Sequence, residues 1–80
     1  MSKEREARRD AEALLGELTD REREILLLLA EGMRNEGIAH KLFISPQTVQ
    51  TNVRNLLAKL GVHSKLEAVA FAVKHGWISI

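Results

Sequence analysis

Apolar residues along this chain recur every three or four positions, the spacing of a helix with one buried side, and nowhere settle into the two-residue alternation of a half-buried strand. The stretch Ser45 to Leu60, SPQTVQTNVRNLLAKL, carries the pattern most fully. Val49, Val53, Leu56, Leu57 and Leu60 make one apolar stripe, and both ends of the helix are marked. Ser45 offers a side-chain oxygen to the free N–H groups of the first turn, and Pro46 takes the first helical position, where a missing N–H costs nothing. Gly61 follows Leu60 as the residue suited to a left-handed stop.

Three further helices are predicted around this one. Thr19-Asp-Arg-Glu22 has the form of a capping box, and the five apolar residues Ile25 to Leu29 behind it cover most of a helix circumference, which predicts a central helix over Leu18 to Glu31 with Gly32 as its end. Asn35 is the predicted N-cap of a shorter helix with Ile38, Ala39 and Leu42 turned inward, and Gly37 inside it reads as a tolerated weakness. Phe43 and Ile44 then lead to Ser45 in a three-residue connection, suited to two helices crossing steeply. A second capping box, Ser64-Lys-Leu-Glu67, opens a last helix to about His75, with Gly76 as its stop. Before all of these, Met1 to Glu17 places Ala7, Ala11, Leu14 and Leu15 at near-helical spacing on a thin stripe, the pattern of a linker or a short amphipathic helix. The expectation is an all-α, compact four-helix domain over residues 18–80, preceded by a charged linker or short helix over 1–17.

The polar side of the Ser45 helix has an unusual composition. Gln47, Thr51, Arg54, Asn55 and Ala58 lie opposite the apolar stripe, with Thr48 and Gln50 on the flanks, and there is no carboxylate among them although 29% of the chain is charged. Amide, hydroxyl and guanidinium groups are the ones that pair with base edges in a major groove, where a carboxylate would face phosphates. Taken alone the face admits two readings, nucleic-acid recognition or an ordinary solvated surface.

Charge shifts the balance between them once it is divided along the chain. Residues 1–32 hold six Lys/Arg against nine Asp/Glu, a balance of −3, whereas residues 33–65 hold five Lys/Arg against Glu36 alone, a balance of +4. Basic charge therefore gathers around the Ser45 helix, where phosphate neutralisation needs it. An excess of four is a weak field, and one copy of the domain should bind nucleic acid loosely and release it as salt rises. The chain has no cysteine, hence no disulfide and no thiolate metal site, and no apolar run near the ~20 residues of a membrane span. Its N-terminus is charged where a signal peptide would turn apolar, which sets a cytoplasmic expectation. His40, His63 and His75 show no ligand spacing, and no nucleophile has a partnered base, so neither an enzyme nor a cofactor is expected. Trp77, alone after Gly76, reads as an aromatic capping the core.

A short helix, a three-residue turn and a second helix with a polar outer face form a helix-turn-helix, whose second helix enters the major groove. Residues 18–78 resemble the LuxR-type (LuxR/FixJ/GerE) DNA-binding domain found at the C-terminus of bacterial response regulators and quorum-sensing regulators. The resemblance is carried by LTDREREILLLLAEG, by Asn35 with Ile38-Ala39, by ISPQTVQTNVRNLLAKLGV, and by Ser64-Lys65-Leu66-Glu67-Ala68-Val69. It implies base reading by Gln50, Thr51 and Arg54, to which the helical geometry adds Gln47 and Asn55. It implies phosphate contacts by Thr48, Lys59 and Asn35, beside Ser45 at the helix start. Two departures from the family pattern bear on affinity: Asn52 stands where His is usual, and Glu36-Gly37 where Lys-Glu is usual.

The last helix carries two apolar stripes roughly 110° apart, Leu66, Ala70 and Val73 on one, Ala68, Val69 and Ala72 on the other. A monomer has use for one of them. The resemblance turns Ala68, Val69 and Ala72 inward, leaving Leu66, Ala70 and Val73 as an expected dimer interface. The function expected is sequence-specific binding of double-stranded DNA by a bacterial transcription regulator, as a homodimer on DNA. Further partners would be an upstream receiver or ligand-sensing domain, or RNA polymerase. Two alternatives stand beside it. A sigma-factor region 4 type module shares the helix-turn-helix but would lack the fourth helix, and a helical protein-interaction module without DNA binding would accommodate Glu36 and Asn52.

Overall fold

Burying Ile25, Leu26, Leu28 and Leu29 on one helix requires partners on more than one side, and two later helices supply them. The computed structural model describes residues 12–78. Within them run α1 (Asp20–Ala30), α2 (Asn35–Leu42), α3 (Pro46–Leu60) and α4 (Lys65–Lys74), and the described residues contain no strand. α3 packs against α1, α2 and α4, and α1 also packs against α4. The centre is thus shared: Ile25 of α1, Ile38 of α2, Val49 and Leu56 of α3, and Ala68 and Ala72 of α4 are all fully buried. Leu27, the middle member of the apolar run in α1, faces outward.

The caps written in the sequence form as hydrogen bonds. Thr19 Oγ1 accepts from the Glu22 backbone N–H at 3.0 Å, and Glu22 Oε1 accepts from the Thr19 N–H at 2.9 Å, closing the capping box at the start of α1. Ser45 Oγ accepts from the Thr48 N–H at 3.0 Å, and Ser64 Oγ from the Glu67 N–H at 3.1 Å. Such caps contribute about 1 kcal/mol each. The second capping box is displaced by one residue, since the Glu67 carboxylate takes the N–H of His63 instead of Ser64.

One expectation needs correcting. The cap of α2 lies one residue earlier than predicted: Arg34 is the N-cap, without a side-chain bond, and Asn35 is the first helical residue with its side chain engaged elsewhere. Of the linker or short helix expected over residues 1–17, residues 12–17 are helical, and Leu14 and Leu15 pack against the core. Residues 1–11, with Ala7 and Ala11, lie outside the described residues. At the other end Trp77 caps the core as expected, its ring meeting Phe71 edge-on at 5.3 Å between centroids.

Candidate nucleic-acid interface

α3 is fixed along one side and free along the other. Val49, Val53, Leu56 and Leu60 are buried, while Gln47, Gln50, Thr51, Arg54, Asn55 and Ala58 are exposed. All five residues expected to read bases therefore share one open face. From Gln47 to Asn55 the helix rises about 12 Å, at 1.5 Å per residue, comparable with the width of a major groove. No acidic residue occurs between Gly37 and Leu66, so the whole turn and α3 are free of carboxylates.

Local hydrogen bonds set what each group has left to offer. Thr51 Oγ1 donates to the Gln47 carbonyl at 3.1 Å, which leaves its lone pairs and its methyl outward. Gln47, Gln50, Arg54 and Asn55 retain amide or guanidinium donors on the open side. Asn52, on the flank, is half-buried and donates its amide to the Thr48 carbonyl at 2.9 Å, so it is spent on the helix itself.

The groups expected on phosphates divide. Ser45 and Thr48 are exposed at the start of α3, and their hydroxyls lie 2.8 Å apart. One hydrogen is shared between them, and the other remains to be donated outward. Asn35 is half-buried, and its Oδ1 accepts from Lys65 Nζ at 2.8 Å, a bond that ties the start of α2 to the start of α4. Its amide N–H groups stay available. Lys59 departs most from expectation. Its Nζ lies 2.7 Å from Glu22 Oε1 and 3.2 Å from the Glu17 carbonyl, so two of its three ammonium hydrogens serve the fold. Glu22 is the one buried charged residue among those described, its side chain 4% exposed. Burial pushes its carboxyl toward a higher pKa, but the bonds from Lys59 and Thr19 outweigh that and hold it below the ordinary glutamate value.

The residues expected to pair two copies lie on a different surface. On α4, Leu66 (79% exposed), Ala70 and Val73 face outward, while Ala68 and Ala72 are fully buried and Val69 is half-buried. A groove between the end of α1 and the start of α4, lined by Leu29, Met33, Leu66 and Val69, continues that apolar surface. Among the described residues no three His, Asp or Glu side chains are grouped to hold a metal ion, and no helix is long and apolar enough to cross a membrane.

Besides the Lys59–Glu22 pair, sequence reasoning missed two features of this region. One is the Lys65–Asn35 tie, whose partners are thirty positions apart with no periodic signal to join them. The other is Phe43, which closes α2 in the left-handed region (φ 58°, ψ 41°) with its side chain 94% exposed. A missing glycine after Leu42 was the available signal.

Known proteins share this architecture. The chain is 46% identical over 66 residues to the uncharacterized transcriptional regulatory protein YxjL of Bacillus subtilis (strain 168), a match covering 82% of this chain and 30% of that protein. It is 48% identical over 61 residues to the response regulator protein VraR of Staphylococcus aureus, covering 76% and 29%. The solved structure of the response regulator StyR superposes with a TM-score of 0.83 at 36% identity, over 88% of this chain and 35% of that one. The chain thus spans about a third or less of these relatives. Residues 16–72, from the docked approach through most of α4, match the model of bacterial regulatory proteins of the luxR family, and to that family this chain belongs.

Proposed function

We propose that this chain binds double-stranded DNA by placing α3 in the major groove, as the DNA-binding part of a bacterial transcription regulator. The observation that carries the reading is the open face of α3, where Gln47, Gln50, Thr51, Arg54 and Asn55 stand exposed together on a helix whose other side is locked into the core. Arg54, the one cation on that face, is assigned to a guanine edge, and the amides to adenine or to mixed steps. Ser45, Thr48 and the free amide of Asn35 are assigned to phosphates flanking the groove. Lys59 is assigned chiefly to holding α3 against α1 through Glu22, with one hydrogen left for a phosphate. Residues 18–80 form the binding unit in this reading; VraR and StyR are response regulators by their names, and an upstream receiver domain belongs to the same proposal for this chain.

Binding by a single copy should be weak, because the basic excess is small. A fluorescence-anisotropy titration with a mixed-sequence duplex tests the reading. Binding in the micromolar range at low salt, weakening steeply as salt is raised, is the expected result. No binding at tens of micromolar protein at low salt would contradict it and favour a protein-interaction module.

A further inference from the structure

The helices α1 to α4 all close with the same pair of backbone bonds. The N–H of the residue at the turn reaches back three positions, and the next N–H reaches back five: Gly32 to Leu29 and Met33 to Leu28, Gly61 to Ala58 and Val62 to Leu57, Gly76 to Val73 and Trp77 to Ala72, and, after α2, Phe43 to His40 and Ile44 to Ala39. This closure puts the turn residue in the left-handed region, where a side chain crowds the following carbonyl. Three of the four turns use glycine there, and the helix-turn-helix uses Phe43, the sole non-glycine with positive φ among the described residues.

An exposed apolar residue taken singly needs no explanation, and a strained backbone can be offset by a well-packed side chain. Phe43 has neither excuse. Its ring is almost wholly in solvent, so the fold gains nothing to set against the backbone conformation. Unfavourable choices at both levels, at one residue, point to an external contact.

The position names the contact. Phe43 lies two residues before Ser45, in the turn between the helix that crosses the backbone and the helix that enters the groove. With α3 in the groove as proposed above, that turn would meet the lip of the major groove, where the deoxyribose offers apolar surface between successive phosphates. Its surroundings are free of acid, with Lys41 two residues away. We propose that Phe43 lays its ring on the sugar edge of the duplex beside the start of α3, an assignment that rests on the DNA-binding reading above.

Three variants separate this role from a structural one. Phe43→Gly and Phe43→Asn relieve the left-handed backbone and should raise the melting temperature, for Gly by about 4 °C. Both should bind DNA about tenfold more weakly, the effect of losing roughly 60 Å² of apolar contact. The loss should be equal on mixed-sequence and selected duplexes, with an unchanged salt slope, because neither a base edge nor a phosphate charge is involved. Phe43→Leu should keep most of the affinity without the gain in stability. If the wild type binds and the Gly and Asn variants bind as tightly, the sugar contact is wrong while the DNA-binding reading stands. A loss confined to certain sequences, or a fall in melting temperature for Phe43→Gly, would equally overturn it. Failure of the wild type to bind any duplex would overturn both readings.

Discussion

Lys59 shows how much one side chain's partner decides. A lysine near the end of a groove-binding helix is expected on phosphate, yet its ammonium sits on a carboxylate that is 4% exposed while the lysine itself is 34% exposed. The two residues are thirty-seven positions apart, and Glu22 already had a visible role in the capping box, so nothing in the sequence announced the pair. Lys59→Ala would leave Glu22 buried without its cation. It should cost about 1 to 2 kcal/mol in a denaturant titration, below the full cost of breaking a buried pair because the lysine is part solvated. The same pair predicts a pH dependence. The folded state holds the Glu22 carboxyl below its ordinary value, so as pH falls the unfolded chain takes up that proton first and is favoured. The contribution is full above the ordinary glutamate value of 4.5 and is lost as pH drops below it. Stability measured from pH 7 down to pH 3 should fall less steeply in Glu22→Gln than in the wild type over that lower range. An equal slope would remove Glu22 as the titrating group.

At the level of elements, four helices and three of their caps could be read from residue types alone, because capping is local chemistry within three or four positions. α2 was harder, since its start has no capping side chain and its end has no glycine. Asn35 looked like a cap because its residue type permits one, and a lysine from α4 claimed its carbonyl instead. Glu36, an unexpected acid beside a proposed phosphate contact, lies in the first turn of α2, where the helix dipole favours a negative charge. Gly37 has no backbone close by, since a Cβ there would meet only the terminal methyl of Met33, at 3.4 Å. Gly37→Ala should therefore stabilise the domain by about 0.5 to 1 kcal/mol, seen as a higher denaturation midpoint with an unchanged slope. Destabilisation would mean that α2 depends on space at that position.

For the molecule as a whole, the layout separates two exposed surfaces. The open face of α3 carries the proposed DNA contacts, and the outward stripe of α4 carries Leu66, Ala70 and Val73. Amphipathic spacing revealed that α4 had two apolar stripes, though not which would face in; α1 and α3 decide it by covering Ala68 and Ala72. Two copies pairing through the outer stripe on half-sites about one helical turn apart would bring their Ala70 residues together across a two-fold axis. Ala70→Glu would set like charges there and should abolish cooperative two-site binding while single half-site affinity holds. Cooperativity that survives in this variant, with circular dichroism unchanged, would remove α4 as the pairing surface. Base reading by the exposed face of α3 turns on Arg54, its one cation. Duplexes selected from a random pool define the preferred site, and a panel of single-base variants of that site is then titrated with wild type and Arg54→Ala. Arg54→Ala should lose about 1 to 3 kcal/mol on the selected site and relax the preference at one base position. A uniform loss across the panel, with base preference intact, would contradict it.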